Sequence, residues 1–251
     1  MNNIIKIPNL PQGQVNCLLM SGEYEEVCKK VEDLNIKVIK TKRHKNLPLS
    51  EAYHADLQCQ HLGYNKIMLD KGNTYLEKIL SLEGFEITYT KKNLNNYYPN
   101  NVLLNSAVLK DCVILNQKTL DQNLIDCYKE KNPNLINVNQ GYAKCSTAII
   151  NSNSIITSDP SIYKNAKEYN IEVLKIVPGH IDLPGYDYGF IGGACSLIDK
   201  NKILFIGDIN THPDAKAICD FISYRNIEIV NLIPNKRLLD IGGMIPLKQC
   251  T

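Results

Sequence analysis

STAIINSNSIITSDPSIYKNAKEYNIEVLKI (Ser146–Ile176) and CSLIDKNKILFIGDINTHPDAKAICDFISYRNIEIVNL (Cys195–Leu232) follow one plan. Each opens on small residues and a short apolar strand. Each turns at a polar tip, N-S-N-S or D-K-N-K, that suits a hairpin. A second strand follows, IITSD or ILFIGD. A helix comes next, with Asp159 or Thr211 as expected N-cap and Pro160 or Pro213 near its start. It ends at Asn170 or Asn226, and a third strand leaves as IEVLKI or IEIVNL.

The same order recurs upstream. Asp56–Thr90 contains DLQCQHL, the tip GYNK, IMLD, a helix over Thr74–Leu82, and FEITYT. Val102–Val138 contains VLLNSAVL, a Lys110-Asp111 turn, CVILN, a helix over Leu120–Glu130, and LINV. The two ends supply a fifth copy. Cys17–Thr41 holds a strand, a helix over Glu23–Leu34 and a strand, but lacks the first strand; Leu238–Leu247, LLDIGGMIPL, is a first strand with nothing after it. Joining the ends completes the fifth unit, closes a ring and leaves no open sheet edge. The expected fold is α/β: a five-bladed propeller of strand–strand–helix–strand units, one domain over residues 1–251. The segments Thr41–Tyr53, Lys91–Asn101, Val177–Gly189 and Ile233–Arg237 carry much of the Pro, Asn and Tyr and read as loops over one end of the ring.

Composition narrows the partners. The chain has 251 residues, 28 basic against 26 acidic, and a formal charge of +2. That balance implies no nucleic-acid partner, and the run Lys42-Arg43-His44-Lys45 reads as a solvated loop. Apolar runs such as Ile203–Ile206 are far too short for a membrane span, and the first residues do not resemble an export signal. Nine cysteines, an odd number without a C-x-x-C pair, argue for reduced thiols in a cytoplasmic protein and against a disulfide framework or a zinc site. No metal and no cofactor is expected. The richness in Lys, Ile and Asn suggests an AT-rich bacterial genome. Oligomeric state is not legible.

Five such units resemble the pentein fold of the guanidine-modifying enzymes: arginine and agmatine deiminases, dimethylarginine hydrolase and amidinotransferases. The ribosome anti-association factor of the initiation-factor-six type is similar and is not an enzyme. In the enzymes, the resemblance implies, the innermost strands present a guanidinium-gripping Asp, a second acid, a His acid/base and a nucleophilic Cys. Carried onto this chain, the first inner strand offers His54, Asp56 and Gln58, expected to share one face of a strand, with Asp56 at the place of the first Asp. The second offers Asn105-Ser106 without the acid. The third offers Tyr142, Lys144 and Cys145 where the His is expected. The fourth offers Gly192-Gly193 and Cys195. The fifth offers Asp240, Gly242 and Gly243, with Met244 near the place of the Cys; Cys250 lies later, in a tail expected to fray.

The implied site is therefore a pocket for a small polar amino- or guanidino-compound, without the family's standard Cys and His. Asp56 and Asp240 are the expected cation holders. His54, Gln58, Asn105, Lys144, Gly193 and Gly243 are further binding candidates. Cys195 and Cys145 are candidate nucleophiles. His180 and Asp182, in the loop string G-H-I-D, are candidate acid/base groups brought over the centre by a lid. The alternative is a non-catalytic interaction protein on the same scaffold.

Overall fold

A computed structural model describes residues 2–131 and 133–250. Along the chain run β1 (Asn2–Ile4), β2 (Val15–Met20), α1 (Glu25–Glu32) and β3 (Lys37–Lys40), then a short helix α2 (Ala55–Gln58), β4 (Cys59–Gly63), β5 (Lys66–Leu69), α3 (Thr74–Leu82) and β6 (Glu86–Tyr89). Next come β7 (Ala107–Val108), β8 (Cys112–Leu115), α4 (Gln122–Lys131) and β9 (Asn134–Asn137), followed by β10 (Ala148–Asn151), β11 (Ser154–Thr157), α5 (Pro160–Lys167) and β12 (Glu172–Lys175). The last stretch holds β13 (Ile181–Asp182), β14 (Cys195–Asp199), β15 (Lys202–Phe205), α6 (Ala215–Ser223), β16 (Glu228–Asn231), β17 (Leu238–Leu239) and β18 (Met244–Cys250).

These elements form five small mixed sheets and one two-stranded ladder, β13–β17. Four sheets repeat one pattern, an antiparallel pair followed by a parallel third strand: β4-β5-β6, β7-β8-β9, β10-β11-β12 and β14-β15-β16. The other has order β1-β18-β2-β3, and β18 runs antiparallel to both β1 and β2. The carboxyl-terminal strand thus stands where the first unit lacks one, and the strand from the far end pairs Met244 with Met20.

Strand alternation explains the continuous apolar runs. Successive side chains of a strand leave on opposite faces, so a strand buried on both faces must be apolar throughout. In β5, Ile67 and Leu69 join the core shared with the β2–β18 sheet, whereas Met68 joins the core shared with β7–β8. In β8, Val113 and Leu115 face the β4–β5 sheet, while Cys112 and Ile114 join the core containing β10–β11 and β14–β15. In β15, Ile203 and Phe205 join that core, and Leu204 packs with Leu18, Met20 and Met244 of the first sheet.

Helices start and stop by local chemistry. The Asp159 carboxylate accepts from the amides of Ser161 and Ile162 at 2.8 Å each, with Pro160 in the first turn. Asn73 caps α3 in the same way through Leu76. Asn35, Gly84, Asn170 and Asn226 each take positive φ after their helices and turn the chain into the third strand. Among the described residues no helix is long and apolar enough to cross a membrane. All nine cysteines are free.

Several expectations need correction. His54, Asp56 and Gln58 do not alternate on a strand, because Ala55–Gln58 is a helical turn that His54 precedes. The inner strands begin later than expected: β7 at Ala107, β10 at Ala148 and β18 at Met244. Thr211 does not cap α6; it ends a 3-10 turn capped by Asp208, and Asp214 precedes the helix. Leu238–Leu247 is two elements, β17 and the start of β18, with Gly242 and Gly243 at positive φ between them. Cys250 is paired with β1 in register rather than frayed. The Val177–Gly189 loop contains β13.

Leu204→Ala opens the fully buried core between the fifth and first sheets. It is expected to cost about 2–5 kcal/mol in urea unfolding, against about 1 kcal/mol for the cap variant Asp159→Ala.

Candidate functional site

The segments that precede the first strands meet one another. A tight turn precedes the first strand in four units: Ala55–Gln58 runs straight into β4, Asn105-Ser106 lead into β7, Thr147 into β10 and Ala194 into β14; the fifth segment is Asp240–Gly243 before β18. These five segments are joined in a circuit of hydrogen bonds. The Asp56 amide donates to the Gly242 carbonyl (3.1 Å). Asn105 Nδ2 donates to the Asp56 carbonyl (3.3 Å), and Asn105 Oδ1 accepts from the amides of Lys144 (2.7 Å) and Cys145 (3.3 Å). The Gly193 amide donates to the Cys145 carbonyl (3.1 Å), and Lys144 Nζ donates to the Gly192 carbonyl (3.1 Å). The Gly193 carbonyl accepts from Ile241 and Gly243, which returns the circuit to Gly242. Gly193 has to be glycine: a Cβ there would overlap the Asp240 carboxylate. Gly242 sits at φ +75°, and a Cβ on it would overlap the His54 side chain.

Within this circuit lie three donors of different kinds. His54, Asp56 and Cys145 place an imidazole nitrogen, a carboxylate oxygen and a sulfur within 4.8 Å of one another, all buried. The Cys145 thiol donates to Asp56 Oδ2 at 2.9 Å, and Asn105 Nδ2 donates to the sulfur at 3.2 Å. Among the described residues, Asp56 Oδ1 is buried without a hydrogen-bond partner. Burial raises the Asp56 pKa to about 6, against the opposing pull of His54, Lys144 and the Cys145 thiol. Burial and the adjacent Asp56 charge push the Cys145 thiol well above its ordinary range, and burial pushes Cys195 up to about 12. Both thiols are therefore protonated at neutral pH unless a cation enters.

A cleft of about 240 Å³ opens over the cluster. His54, Cys145 and Asp240 reach it from the circuit; Leu183, Tyr186, Asp187, Tyr188 and Phe190 come from the loop that carries β13, and Glu51 and Tyr142 complete it. Phe190 stands 6.1 Å from the Tyr142 ring and 6.4 Å from the Tyr188 ring. Glu51, 3% exposed, ties the walls together: it accepts from Tyr142 (2.9 Å), Tyr186 (2.6 Å) and Asn101 (3.0 Å). Burial, with Glu51 beside them, raises the pKa of both tyrosines, so their hydroxyls remain donors. Asp240 accepts from the amides of Phe190 and Gly242 at 2.9 Å each, and its own amide bonds the Asp182 carbonyl.

Of the residues singled out in the sequence, His54, Asp56, Asn105, Lys144, Cys145, Gly193, Asp240 and Gly243 converge here. Gln58 does not; its amide braces the carbonyls of Lys42 and Ala52. Cys195 starts β14 in the hydrophobic core. His180 is exposed at positive φ with its ring against His212, and Asp182 pairs with Arg237 at 3.2 Å. In the basic run, His44 is buried against Asp70 (3.1 Å). Sequence reading missed Glu51 and the aromatic walls. The clustering of Tyr186, Tyr188 and Phe190 in one Pro/Gly loop was the available signal.

The chain belongs to a family of unknown function, DUF6873, whose model matches residues 19–245. No curated protein matches it. Solved structures give the fold, that of the penteins. An agmatine deiminase from C. jejuni is 10% identical with a TM-score of 0.55, covering 92% of this chain and 90% of its own. Inosamine-phosphate amidinotransferase StrB1 from Streptomyces griseus is 8% identical with a TM-score of 0.60, covering 99% and 98%. The Pseudomonas aeruginosa DDAH complexed with citrulline is 6% identical with a TM-score of 0.57, covering 86% and 91%.

An acid whose folded pKa is raised loses stability as pH rises from its unfolded value, 3.8, to its folded value, about 6, and carries that penalty above it. Asp56→Asn removes the charge. In metal-free buffer it is expected to stabilise the protein at pH 8, by up to about 3 kcal/mol, and to give no gain near pH 3.5. Denaturant midpoints at the two pH values check this.

Proposed function

We propose that the five sheets stand about one axis as a five-bladed α/β propeller, a single domain over residues 1–251 closed by the terminal strands, and that the central cleft binds and hydrolyses a small organic cation of the amino or guanidino class. The cores shared between successive sheets, which lead from the first sheet through the others and back to it, support the ring. Nine free thiols suit a reducing compartment, the cytoplasm.

The observation that carries the ligand class is the lining of the cleft. Tyr142, Tyr186, Tyr188 and Phe190 present aromatic surface beside Glu51, Asp187 and Asp240. Aromatic faces attract a desolvated cation, each by about 0.5–2 kcal/mol, and carboxylates add a field of the same sign. The rings hold the cationic group in the field of Glu51, Asp187 and Asp240, with its reacting carbon toward His54 and Cys145 at the floor of the same cleft. We read the nucleophile of the guanidine-modifying enzymes as lacking a counterpart, a reading supported by Met244, near its expected place, lying in the apolar core at the start of β18. Thiol chemistry then falls to Cys145, which lines the cleft, in preference to Cys195, which does not. Its proton passes to Asp56, at 2.9 Å, when a bound cation lowers the cost of the thiolate. His54, rather than His180, is the imidazole within reach.

A thermal-shift screen in chelator-containing buffer, with guanidino compounds, amines and their neutral isosteres, tests binding. Cations are expected to stabilise the protein and neutral isosteres are not. Phe190→Ala is expected to weaken the effective ligand roughly 2- to 30-fold, the range of one cation–aromatic contact. Absence of any cation-selective shift sinks the reading. In a Cys250→Ser background, iodoacetamide labelling of Cys145 that rises with bound cation supports the thiol's role; labelling indifferent to the ligand removes it.

A further inference from the structure

We propose that His54, Asp56 and Cys145 form a binding site for a divalent transition-metal ion of the zinc class, with an open coordination position facing the cleft; this goes beyond the organic-cation reading and does not depend on it.

The donor set is the first ground. Imidazole nitrogen, carboxylate oxygen and thiolate sulfur together suit zinc and cobalt(II), whereas magnesium and calcium prefer oxygen alone. The three donor atoms lie within 4.8 Å of one another and come from two segments held rigidly by the central hydrogen-bond circuit. The second ground is an uncommitted acceptor: Asp56 is 3% exposed and its Oδ1 is buried, yet among the described residues that oxygen has no hydrogen-bond partner. The neighbouring ammonium of Lys144 gives its hydrogen bond to the Gly192 carbonyl instead. A buried acceptor left unmatched is costly, and a metal ion satisfies it.

A surrounding shell is also present. Asn105 Nδ2 donates to Cys145 Sγ at 3.2 Å, the kind of outer contact that steadies a metal-bound thiolate. On binding, the Cys145 S–H bond breaks, the proton leaves to buffer, and a sulfur–metal bond forms; no electron is transferred. The thiolate and the Asp56 carboxylate then cancel the charge of the dication, so the buried cluster becomes neutral. Three protein ligands and a cleft above them make a site with one position open to water or to a ligand atom. The sequence hides the set because the ligands follow none of the familiar spacings: two lie at 54 and 56 and the third at 145.

Cobalt(II) titration of the chelator-stripped full chain, without organic ligand, tests the site. One cobalt per chain is expected, with an intense near-ultraviolet thiolate-to-cobalt charge-transfer band that zinc abolishes by displacement. Cys145→Ser is expected to lose the band, and His54→Ala and Asp56→Asn to weaken binding at least tenfold. Cys219→Ser and Cys250→Ser, which change two of the three more accessible thiols, are expected to keep it. Near-ultraviolet circular dichroism checks that each variant is folded. No cobalt binding by the wild-type chain overturns the proposal, and so does a band that survives Cys145→Ser. The organic-cation screen is run in chelator, so either reading can fail while the other stands.

Discussion

The centre of this molecule is governed by the need to satisfy backbone polar groups where five chain segments meet away from water. A buried amide or carbonyl without a partner costs more than most side-chain contacts return. These segments cannot pair as strands, because they converge rather than run side by side. They bond across the centre instead: Asp56 to Gly242, Asn105 to Asp56 and to Lys144, Gly193 to Cys145, and Gly243 to Gly193. The Asn105 side chain supplies both the donor and the acceptor that two neighbouring segments lack. Glycine at 193 and 242 follows from the same crowding.

That constraint separates what can vary from what cannot. The circuit fixes where Cβ atoms of residues 54, 56, 145 and 240 stand, in part through main-chain bonds and in part through the side chains of Asn105 and Lys144. A fold of this kind can therefore exchange the central side chains that lie outside the circuit and retain its frame. Fold and chemistry are separable. The resemblance led one to expect Tyr142 or Lys144 at the place of a His and Met244 near that of a Cys, and the sheets, the helix caps and the β18–β2 pairing are intact. The loops that lay walls over the centre are tied down separately, through Glu51 and through the two-stranded β13–β17 ladder.

The repeat was legible because each unit needs the same physical parts. A middle strand buried on both faces reads as an unbroken apolar run, as in ILFI; a capped helix reads as an Asp or Asn before it, as at Asp159 and Asn73; a left-handed residue after the helix reads as Asn or Gly. Eight of the twelve candidate site residues converge because each lies in the short segment before the first strand of its unit, and the repeat itself locates that segment. What escaped has no period. His54–Gln58 looks like alternating strand, yet Asp56 must give its amide to Gly242, which a ladder would have claimed. Glu51 is an ordinary loop acid until Tyr142, Tyr186 and Asn101, from three other stretches of chain, deliver hydrogens to it. Such a meeting is set by loop paths, and no local pattern encodes it.

The same accounting of hydrogen bonds indicates where positive charge belongs. Glu51 has both oxygens engaged by two hydroxyls and an amide, and Asp240 has both engaged by backbone amides, so each contributes a field more than a vacant contact. Asp187 lies at the exposed rim, where water screens it. Asp56 alone among these acids keeps a buried oxygen without a partner. The direct contact for a cation is therefore at the floor, beside His54 and Cys145, while the rings above offer a second, softer place. Both readings draw on Cys145, as the thiol that meets the organic cation or as the thiolate that holds a metal ion, so one molecule serves only one of them at a time.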